Sequence, residues 1–330
     1  MCTAITLQTT NNKCLFGRNM DLEGSFYQAP HLTPRNFKYN NVVTGQEEST
    51  KYAILGMGTL IDSHPMYADA VNEKGLACAG LNFPNFACYE EECYDGMVNL
   101  GPHDFILWIL GNFESVDSLL DNIDNVNIVN KPFKEGMYIA ALHWMVTDKT
   151  GKSVVLEKTF DGLNIYDSSC IGVLTNTPSY DYHLTNINQY IGLSPNQPKE
   201  SVWCSKEIKP LAVGLGAVGL PGDLSSVSRF IKSSYLKANI GSISDINQGI
   251  NEFYHILSGV SMIGSSVLNN KGIDEKTIYT SCMDLENIVY YYKTYSGNNI
   301  NAVDMTKENL DRDDIKVFEY IDSLEINYQN

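Results

Sequence analysis

Short apolar runs of strand length, separated by turn residues, are the feature that most constrains the fold of this chain. They crowd the N-terminal third and return in the middle and near the C-terminal end. They read CTAITLQ, CLFGRNMD, KYAILGMGT, MYADAVN, LACAGLNF, ALHWMVTD, SVVLEKT, LNIYD, IGVLTN, TIYTSCMDL, IVYYYKTYS, INAVDM and IKVFEYI. The turn sequences TTNNK, NEKG and KTGK stand between neighbouring runs, as in β-hairpins. This pattern predicts antiparallel sheets.

Helical stretches occur as two separate pairs between these runs. In the first pair, Pro102 of GPHDFILWILGNF suits a first helical turn and Ser115 of SVDSLLDNI suits an N-cap. The second pair, SSVSRFIKSSYLKAN and INQGINEFYHILSGV, has apolar residues at helical spacing. No linker, low-complexity tract or short repeat divides the chain. We therefore expect one α+β domain over residues 1–330, with two antiparallel sheets covered by helices.

Composition excludes some classes of partner. The chain is 43% hydrophobic and carries a formal net charge of −16, which argues against nucleic acid and anionic membrane surfaces. No apolar run reaches the roughly 20 residues of a membrane span, and the polar N-terminal segment lacks a signal-peptide pattern. We expect a cytosolic protein whose eight cysteines are reduced and mostly buried.

Motifs for cofactors and metals fail on their context. GLGAVG, which begins at Gly214, fits the G-x-G-x-x-G pattern of a dinucleotide-binding site. Pro221 and Gly222 follow it, however, where the helix of such a site should begin. GKS at Gly151 fits a hairpin turn better than a phosphate-binding loop. The chain has no G-x-S-x-G, H-E-x-x-H or C-x-x-C motif, and its six histidines are scattered. We expect no cofactor and no metal.

A cysteine directly after the initiator methionine is the strongest candidate for chemistry. Cys2 is small enough for Met1 to be removed, which would leave a thiol and a free α-amine on one residue. A free thiol with a pKa of about 8.5 needs a base, and an α-amine has a pKa of about 7.7–8.0, close to neutral pH. Cys2 could therefore act as a nucleophile that carries its own base, with no histidine required.

Other polar residues stand where they could assist Cys2. Arg18 and Asp21 lie in the second strand run, where a guanidinium could stabilise the thiolate and a carboxylate could hold the amine. A structural ion pair explains them equally well. Asn82 and Asn176 end apolar runs and could donate to an oxyanion, although asparagine is also common at turns. The helical pattern puts Arg229 off the apolar face, which predicts a solvated side chain.

Together these segments resemble one known family. MCTAITL, FGRNMD, PRN, YADAVNEKGLACAGLNF, LHWMVTD, GVLTNTP, GLPGDLSSVSRF, YTSCMDL and YYYKTY occur in the order and spacing of the choloylglycine hydrolases, from the first residue to about Asn309. This family of N-terminal-nucleophile hydrolases includes bile salt hydrolases and penicillin V acylases. The resemblance implies a four-layer αββα sandwich, no cofactor, a small-molecule substrate and a homotetramer.

The resemblance also assigns roles to residues. It implies Cys2 as the nucleophile, Arg18 and Asp21 as its close partners, Asn82 and Asn176 at the oxyanion hole, and Arg229 as electrostatic support. Penicillin V acylases often carry tyrosine at the position of Asn82, so asparagine there favours a bile salt hydrolase. The apolar side chains that match steroid-binding positions are Met20, Phe26, Ile61, Ala68, Phe133 and Met137.

The expected activity is cleavage of the amide bond in glycine- or taurine-conjugated bile acids. Two alternatives remain open at this point. One is an acylase for penicillin V or N-acyl-homoserine lactones. The other is a non-catalytic binder of acyl ligands or steroids on the same fold, which the presence of Cys2, Arg18, Asp21 and Asn82 disfavours.

Overall fold

Two antiparallel sheets lie face to face at the centre of the molecule, and helices pack against their outer faces. The computed structural model describes residues 1–330. The strands are β1 (Cys2–Gln8), β2 (Cys14–Leu22), β3 (Ala29–Thr33), β4 (Lys38–Asn40), β5 (Glu47–Ser49), β6 (Ile54–Ile61), β7 (His64–Asn72), β8 (Leu76–Asn82), β9 (Val98–Leu100), β10 (Val126–Ile128), β11 (Leu142–Asp148), β12 (Ser153–Thr159), β13 (Gly162–Asp167), β14 (Val173–Leu174), β15 (Ser201–Trp203), β16 (Lys206–Ile208), β17 (Lys276–Asp284), β18 (Val289–Thr294), β19 (Asn301–Asp304) and β20 (Lys316–Val317).

The two large sheets have the orders β14-β1-β2-β17-β18-β19 and β13-β12-β11-β8-β7-β6-β3-β20. The helices are α1 (Phe105–Asn112), α2 (Val116–Leu120), α3 (Tyr180–Asn186), α4 (Ser226–Asn239) and α5 (Ile246–Ser258). Helices α4 and α5 pack on the six-stranded sheet, whereas α1 and α2 pack on the eight-stranded sheet. The predicted αββα sandwich is confirmed. None of the helices combines the length and the apolar character that crossing a membrane requires.

Burial on both faces explains why the central strands read as continuous apolar runs instead of alternating ones. Every residue of β1 except Gln8 is buried, because one face meets the other sheet and the opposite face meets α4 and α5. The same crowding explains Gly17 in β2. A side chain at Gly17 would overlap the Ser281 carbonyl of the neighbouring strand β17.

The first hairpin positions the candidate site. In the β1–β2 pairing, Cys2 lies opposite Met20 and Ala4 lies opposite Arg18. Residues two apart on a strand point to the same face, so Arg18 becomes the diagonal neighbour of Cys2 on that face. The register of one hairpin therefore brings the thiol and the guanidinium together.

Several local predictions are corrected by the structure. Pro102 precedes α1 instead of lying in its first turn, because Gly101–Asp104 forms a separate turn closed by the Asp104 amide on the Gly101 carbonyl. Only Lys316–Val317 of the last predicted run forms a strand. Cysteines are buried at only four of the eight positions, since Cys88, Cys93, Cys170 and Cys204 are exposed. The capping role of Ser115 is confirmed.

Candidate active site

Cys2 is the first residue of β1 and is buried between the sheets, with 2% of its surface exposed. Its sulfur accepts a hydrogen bond from the Arg18 guanidinium. Arg18 is fully buried and donates its other hydrogen bonds to main-chain carbonyls, at 2.6 Å to Gly80, 3.2 Å to Asn19 and 3.4 Å to Ala68. A cation held in this way stabilises the anionic form of the sulfur.

Asp21 lies farther along β2 and is also fully buried. Its Oδ1 accepts a hydrogen bond of 2.6 Å from the Thr277 hydroxyl, whereas its Oδ2 has no hydrogen-bond partner and lies 4.0 Å from the Arg229 guanidinium. Burial raises the pKa of Asp21, and the Arg229 charge opposes that shift. An unpaired buried carboxylate oxygen is a position that suits a cationic donor.

The chain in this structure still carries Met1, so the Cys2 nitrogen is a peptide nitrogen. The Met1 amine donates 2.6 Å to the Asp21 carbonyl and 2.9 Å to Glu275 Oε2. The Cys2 nitrogen donates 2.8 Å to Asn176 Oδ1. Acceptors that surround this segment would therefore be available to a Cys2 amine once Met1 is removed.

Arg229 is fully buried, so the solvated side chain predicted from the helical pattern is wrong. Its guanidinium donates to the Cys2 carbonyl, at 2.5 Å to the Thr3 hydroxyl and at 2.7 Å to Asn176 Oδ1. The pattern failed because α4 is buried on more than its apolar face. Small polar side chains of this helix are buried as well, namely Ser226, Ser228, Ser233 and Ser234.

The two asparagines predicted for the oxyanion hole lie in contact. Asn176 Nδ2 donates 2.7 Å to the Asn82 carbonyl, and Asn176 Oδ1 already accepts from both Cys2 and Arg229. The Asn176 amide is therefore engaged in holding the nucleophile segment. The Asn82 side chain lines the cavity beside Cys2, where its amide can donate to a ligand.

The candidate acyl-binding residues line two adjoining cavities. An inner cavity of about 240 Å³ contacts Cys2 and Arg18 and includes Met20, Phe26 and Ala68 in its wall. An outer cavity of about 680 Å³ shares Phe26 and is lined by Ile61, Phe133 and Met137. The structure thus brings all six predicted apolar residues to one continuous depression that ends at the sulfur.

Two groups that the sequence reasoning missed contact the site. Glu275, just before β17, holds the Met1 amine, and Thr277, near the start of β17, holds Asp21. No motif marks them. A signal was present in the pairing of β17 with β2, which places Thr277 directly opposite Asp21, but strand pairs this far apart in sequence cannot be read from periodicity.

The arrangement offers a buried thiol with a cationic partner, a carboxylate near the chain end and an amide donor at the mouth of an apolar cavity. These are the components of nucleophilic acyl transfer. No group of three or more His, Cys, Asp or Glu side chains is placed to hold a metal ion.

Comparison with known proteins agrees with this geometry. A bile salt hydrolase/transferase of Clostridium perfringens is 46% identical over 330 residues, covering 100% of both chains. A crystal structure of the mutant C2A of the conjugated bile acid hydrolase from Clostridium perfringens superposes with a TM-score of 0.95 at 46% identity, again covering 100% of both chains. A penicillin V acylase of Pectobacterium atrosepticum is more distant, at 24% identity over 255 residues, which cover 73% of this chain and 62% of the acylase.

The model of one protein family matches residues 2–318, and it is described as linear amide C-N hydrolases, choloylglycine hydrolase family. The match begins at Cys2 and covers both large sheets and all five helices. This protein is a linear amide C–N hydrolase that belongs to the choloylglycine hydrolase family.

Proposed function

We propose that this enzyme hydrolyses the amide bond of glycine- or taurine-conjugated bile acids, with Cys2 as nucleophile after removal of Met1. The observation that carries the proposal is the apolar depression that ends at the Cys2 sulfur. A steroid acid is a large apolar acyl group whose carboxyl end must reach the nucleophile. Burial of apolar surface contributes roughly 25 cal/mol per Å², so such a group can anchor there with few polar contacts.

The proposed reaction has two steps. The Cys2 thiolate attacks the amide carbonyl carbon, Asn82 donates to the developing oxyanion, and the C–N bond breaks as the α-ammonium of Cys2 gives its proton to the leaving nitrogen. A water molecule, deprotonated by the α-amine, then attacks the thioester. The C–S bond breaks, and the bile acid leaves as the thiolate is restored.

The roles of the remaining residues follow from their contacts. Arg18 stabilises the thiolate, the unpaired Oδ2 of Asp21 would accept a hydrogen bond from the freed amine, and Arg229 with Asn176 holds the Cys2 main chain. Met20, Phe26, Ile61, Ala68, Phe133 and Met137 form the walls for the acyl group.

A substrate panel tests the proposal. We expect kcat/KM for glycocholate and taurocholate to exceed that for penicillin V by at least about tenfold, which corresponds to about 1.4 kcal/mol of transition-state binding. The more distant relation to a penicillin V acylase and the Asn82 side chain both support this order. If penicillin V, measured on the same preparation, matches or exceeds both conjugates, the acylase alternative replaces this function.

A homotetramer, which the family resemblance implies, stays a proposal. Its support is a segment with large exposed apolar side chains, including Leu211 and Val213, which are 97% and 91% exposed. Trp203 and Val202 on the β15–β16 hairpin belong to the same segment. Exposed apolar surface of this kind is typical of an interface between subunits. Native mass spectrometry should give four chains per particle, and a monomer would contradict the proposal.

The cytoplasmic location expected from the sequence also stays a prediction. Fractionation of cells that produce the protein checks it, with activity expected in the cytoplasmic fraction. Activity recovered mainly from the culture medium or from membranes would contradict it.

A further inference from the structure

A buried carboxylate that the proposed mechanism does not use lies between the two sheets. Asp69 of β7 is fully buried, and its two carboxylate oxygens each accept a hydrogen bond of 2.6 Å from a tyrosine, Oδ2 from Tyr279 and Oδ1 from Tyr290. Both tyrosines are fully buried as well and come from the opposite sheet. An acidic residue in the apolar interior costs free energy unless it has a charged partner.

Arg18 makes no direct ion pair with this carboxylate, but it is the cation whose charge acts on it. Its guanidinium donates to the carbonyl of Ala68, the residue next to Asp69, and its main-chain nitrogen donates 3.2 Å to the Ser281 hydroxyl. Burial raises the pKa of Asp69, whereas the Arg18 charge and the hydroxyls of Tyr279, Tyr290 and Ser281 favour the ionised form. Asp69 and Arg18 therefore act on each other across the interior.

The charge of Arg18 would be poorly balanced without Asp69. Of its direct hydrogen-bond partners, only the Cys2 sulfur can carry a charge, since the other acceptors are carbonyl oxygens. The sulfur is anionic as a thiolate but neutral as a thioester. A guanidinium at zero exposure would lose its only direct counter-ion each time Cys2 is acylated.

We propose that Asp69, held by Tyr279 and Tyr290, is a positioning residue that balances the Arg18 charge while the Cys2 sulfur alternates between thiolate and thioester. The proposal rests on the proposed function only in taking Cys2 as the nucleophile. Other charged groups around the site are Asp21 on β2, Arg229 on α4, Glu275 before β17 and the chain-terminal amine, and they are unchanged in the test below.

The sign of the effect separates this role from a structural one. A negative charge near Arg18 weakens the positive field at the sulfur. Its removal in Asp69→Asn should favour the thiolate, so iodoacetamide should alkylate Cys2 with a midpoint about one pH unit lower than in the wild type. Turnover should move the other way, with kcat for taurocholate falling about tenfold or more, because the neutral thioester now leaves Arg18 unbalanced.

Control variants make the test specific. Asp148→Asn removes a second buried carboxylate, one that caps the amide nitrogens of Val116 and Thr150, and it should leave both the alkylation midpoint and kcat unchanged. Tyr290→Phe keeps Asp69 but removes one of its donors, and it should shift the midpoint in the same direction by less. If Asp69→Asn fails to fold, Tyr290→Phe alone tests the predicted shift of the midpoint.

Each outcome has one meaning. A lower midpoint with lower kcat supports the proposal. An unchanged or higher midpoint, or an undiminished kcat, in a folded Asp69→Asn variant overturns it, even if thermal stability falls. Alkylation needs no bile acid, so a midpoint that falls in Asp69→Asn while the wild-type protein cleaves no conjugate would refute the proposed substrate alone.

Discussion

The two ends of the β1–β2 hairpin each carry a buried cysteine, yet their surroundings differ. Cys2 pairs with Met20 at one end, and Cys14 pairs with Gln8 at the other. The Cys2 sulfur accepts from Arg18 and borders an apolar cavity. Lys237, the cation whose charge acts on Cys14, donates all its hydrogen bonds to other acceptors, namely the Thr6 hydroxyl and the carbonyls of Ile171 and Gly172.

Burial without a dedicated cation suppresses ionisation. Burial raises the pKa of Cys14 to about 12, so its sulfur stays a thiol throughout the neutral range. Both sulfurs border a cavity, so what makes Cys2 the candidate nucleophile is its cationic hydrogen-bond partner and the apolar character of the cavity beside it. Variants at the two ends of the hairpin test that difference.

Exchange of the two sulfurs for oxygen should separate the two ends most strongly. Cys2→Ser should lower taurocholate turnover by at least about a thousandfold, because a hydroxyl is far less acidic than a thiol. Cys14→Ser should keep nearly full turnover. Steady-state kinetics, with circular dichroism to show that both variants fold, checks this. Similar activity in the two variants would mean that the nucleophile lies elsewhere.

Blocking the removal of Met1 should have the next largest effect. A lysine inserted between Met1 and Cys2 should keep the methionine in place, deny Cys2 a free amine and reduce turnover about a hundredfold or more. A lysine inserted between Asn11 and Asn12, in the exposed turn at the Cys14 end, should be tolerated. Intact mass and turnover are measured on the same samples. Full activity with Met1 retained would contradict the role of the Cys2 amine as the base.

Removal of the Arg18 cation should change the reactivity of Cys2, whereas removal of the Lys237 cation should not. Arg18→Leu should raise the pH at which iodoacetamide alkylates Cys2 and lower kcat/KM about 10–100-fold, since a charged hydrogen bond of roughly 1.5–3 kcal/mol is lost. Lys237→Leu should change neither quantity. An alkylation profile of Cys2 that is the same in both variants would reduce Arg18 to a structural residue.

The pH response of the Cys14 thiol should differ between the folded and the unfolded protein. With a pKa of about 12, folded Cys14 should show no rise in alkylation between pH 7 and pH 9, whereas in urea it should titrate near its ordinary value of about 8.5. Because the unfolded thiol ionises first, this group lowers stability as pH rises above about 8.5. Peptide mapping after timed alkylation measures both states.

Substitutions that trim the cavities at the two ends of the hairpin should differ in their effect on KM, and this effect should be smaller than those above. Phe26→Ala trims the apolar depression beside Cys2 and should raise KM for taurocholate about tenfold with less change in kcat. Thr10→Ala trims the polar cavity at the Cys14 end and should change neither. Equal effects of the two substitutions would contradict the assignment of the apolar depression to the acyl group.

How far the sequence could predict this site depended on the distance between its parts along the chain. Cys2 and Arg18 share one face of one hairpin, so register and strand parity were enough to bring them together, whereas Asp21 has the opposite parity and meets the site at the chain end, beside Met1. Asn82 and Phe26 needed the family resemblance, because their approach to Cys2 depends on how two sheets face each other.

Other residues lay beyond sequence reasoning for physical reasons. Arg229 was misplaced because buried serines on α4 imitate a solvated face. Asp69 looked unremarkable in the run MYADAVN, although an acidic residue in an otherwise apolar strand is a signal of a buried partner. Its tyrosines come from β17 and β18, about two hundred residues later in the chain, and only the packed structure joins them.

The most direct test of the central claim relates alkylation of Cys2 to loss of activity. Protein lacking Met1 is treated with limited iodoacetamide, and each cysteine peptide is quantified while taurocholate hydrolysis is measured. The four exposed cysteines should be alkylated without effect, and activity should fall in direct proportion to the fraction of Cys2 that is alkylated. Hydrolysis that survives full alkylation of Cys2 would contradict the account.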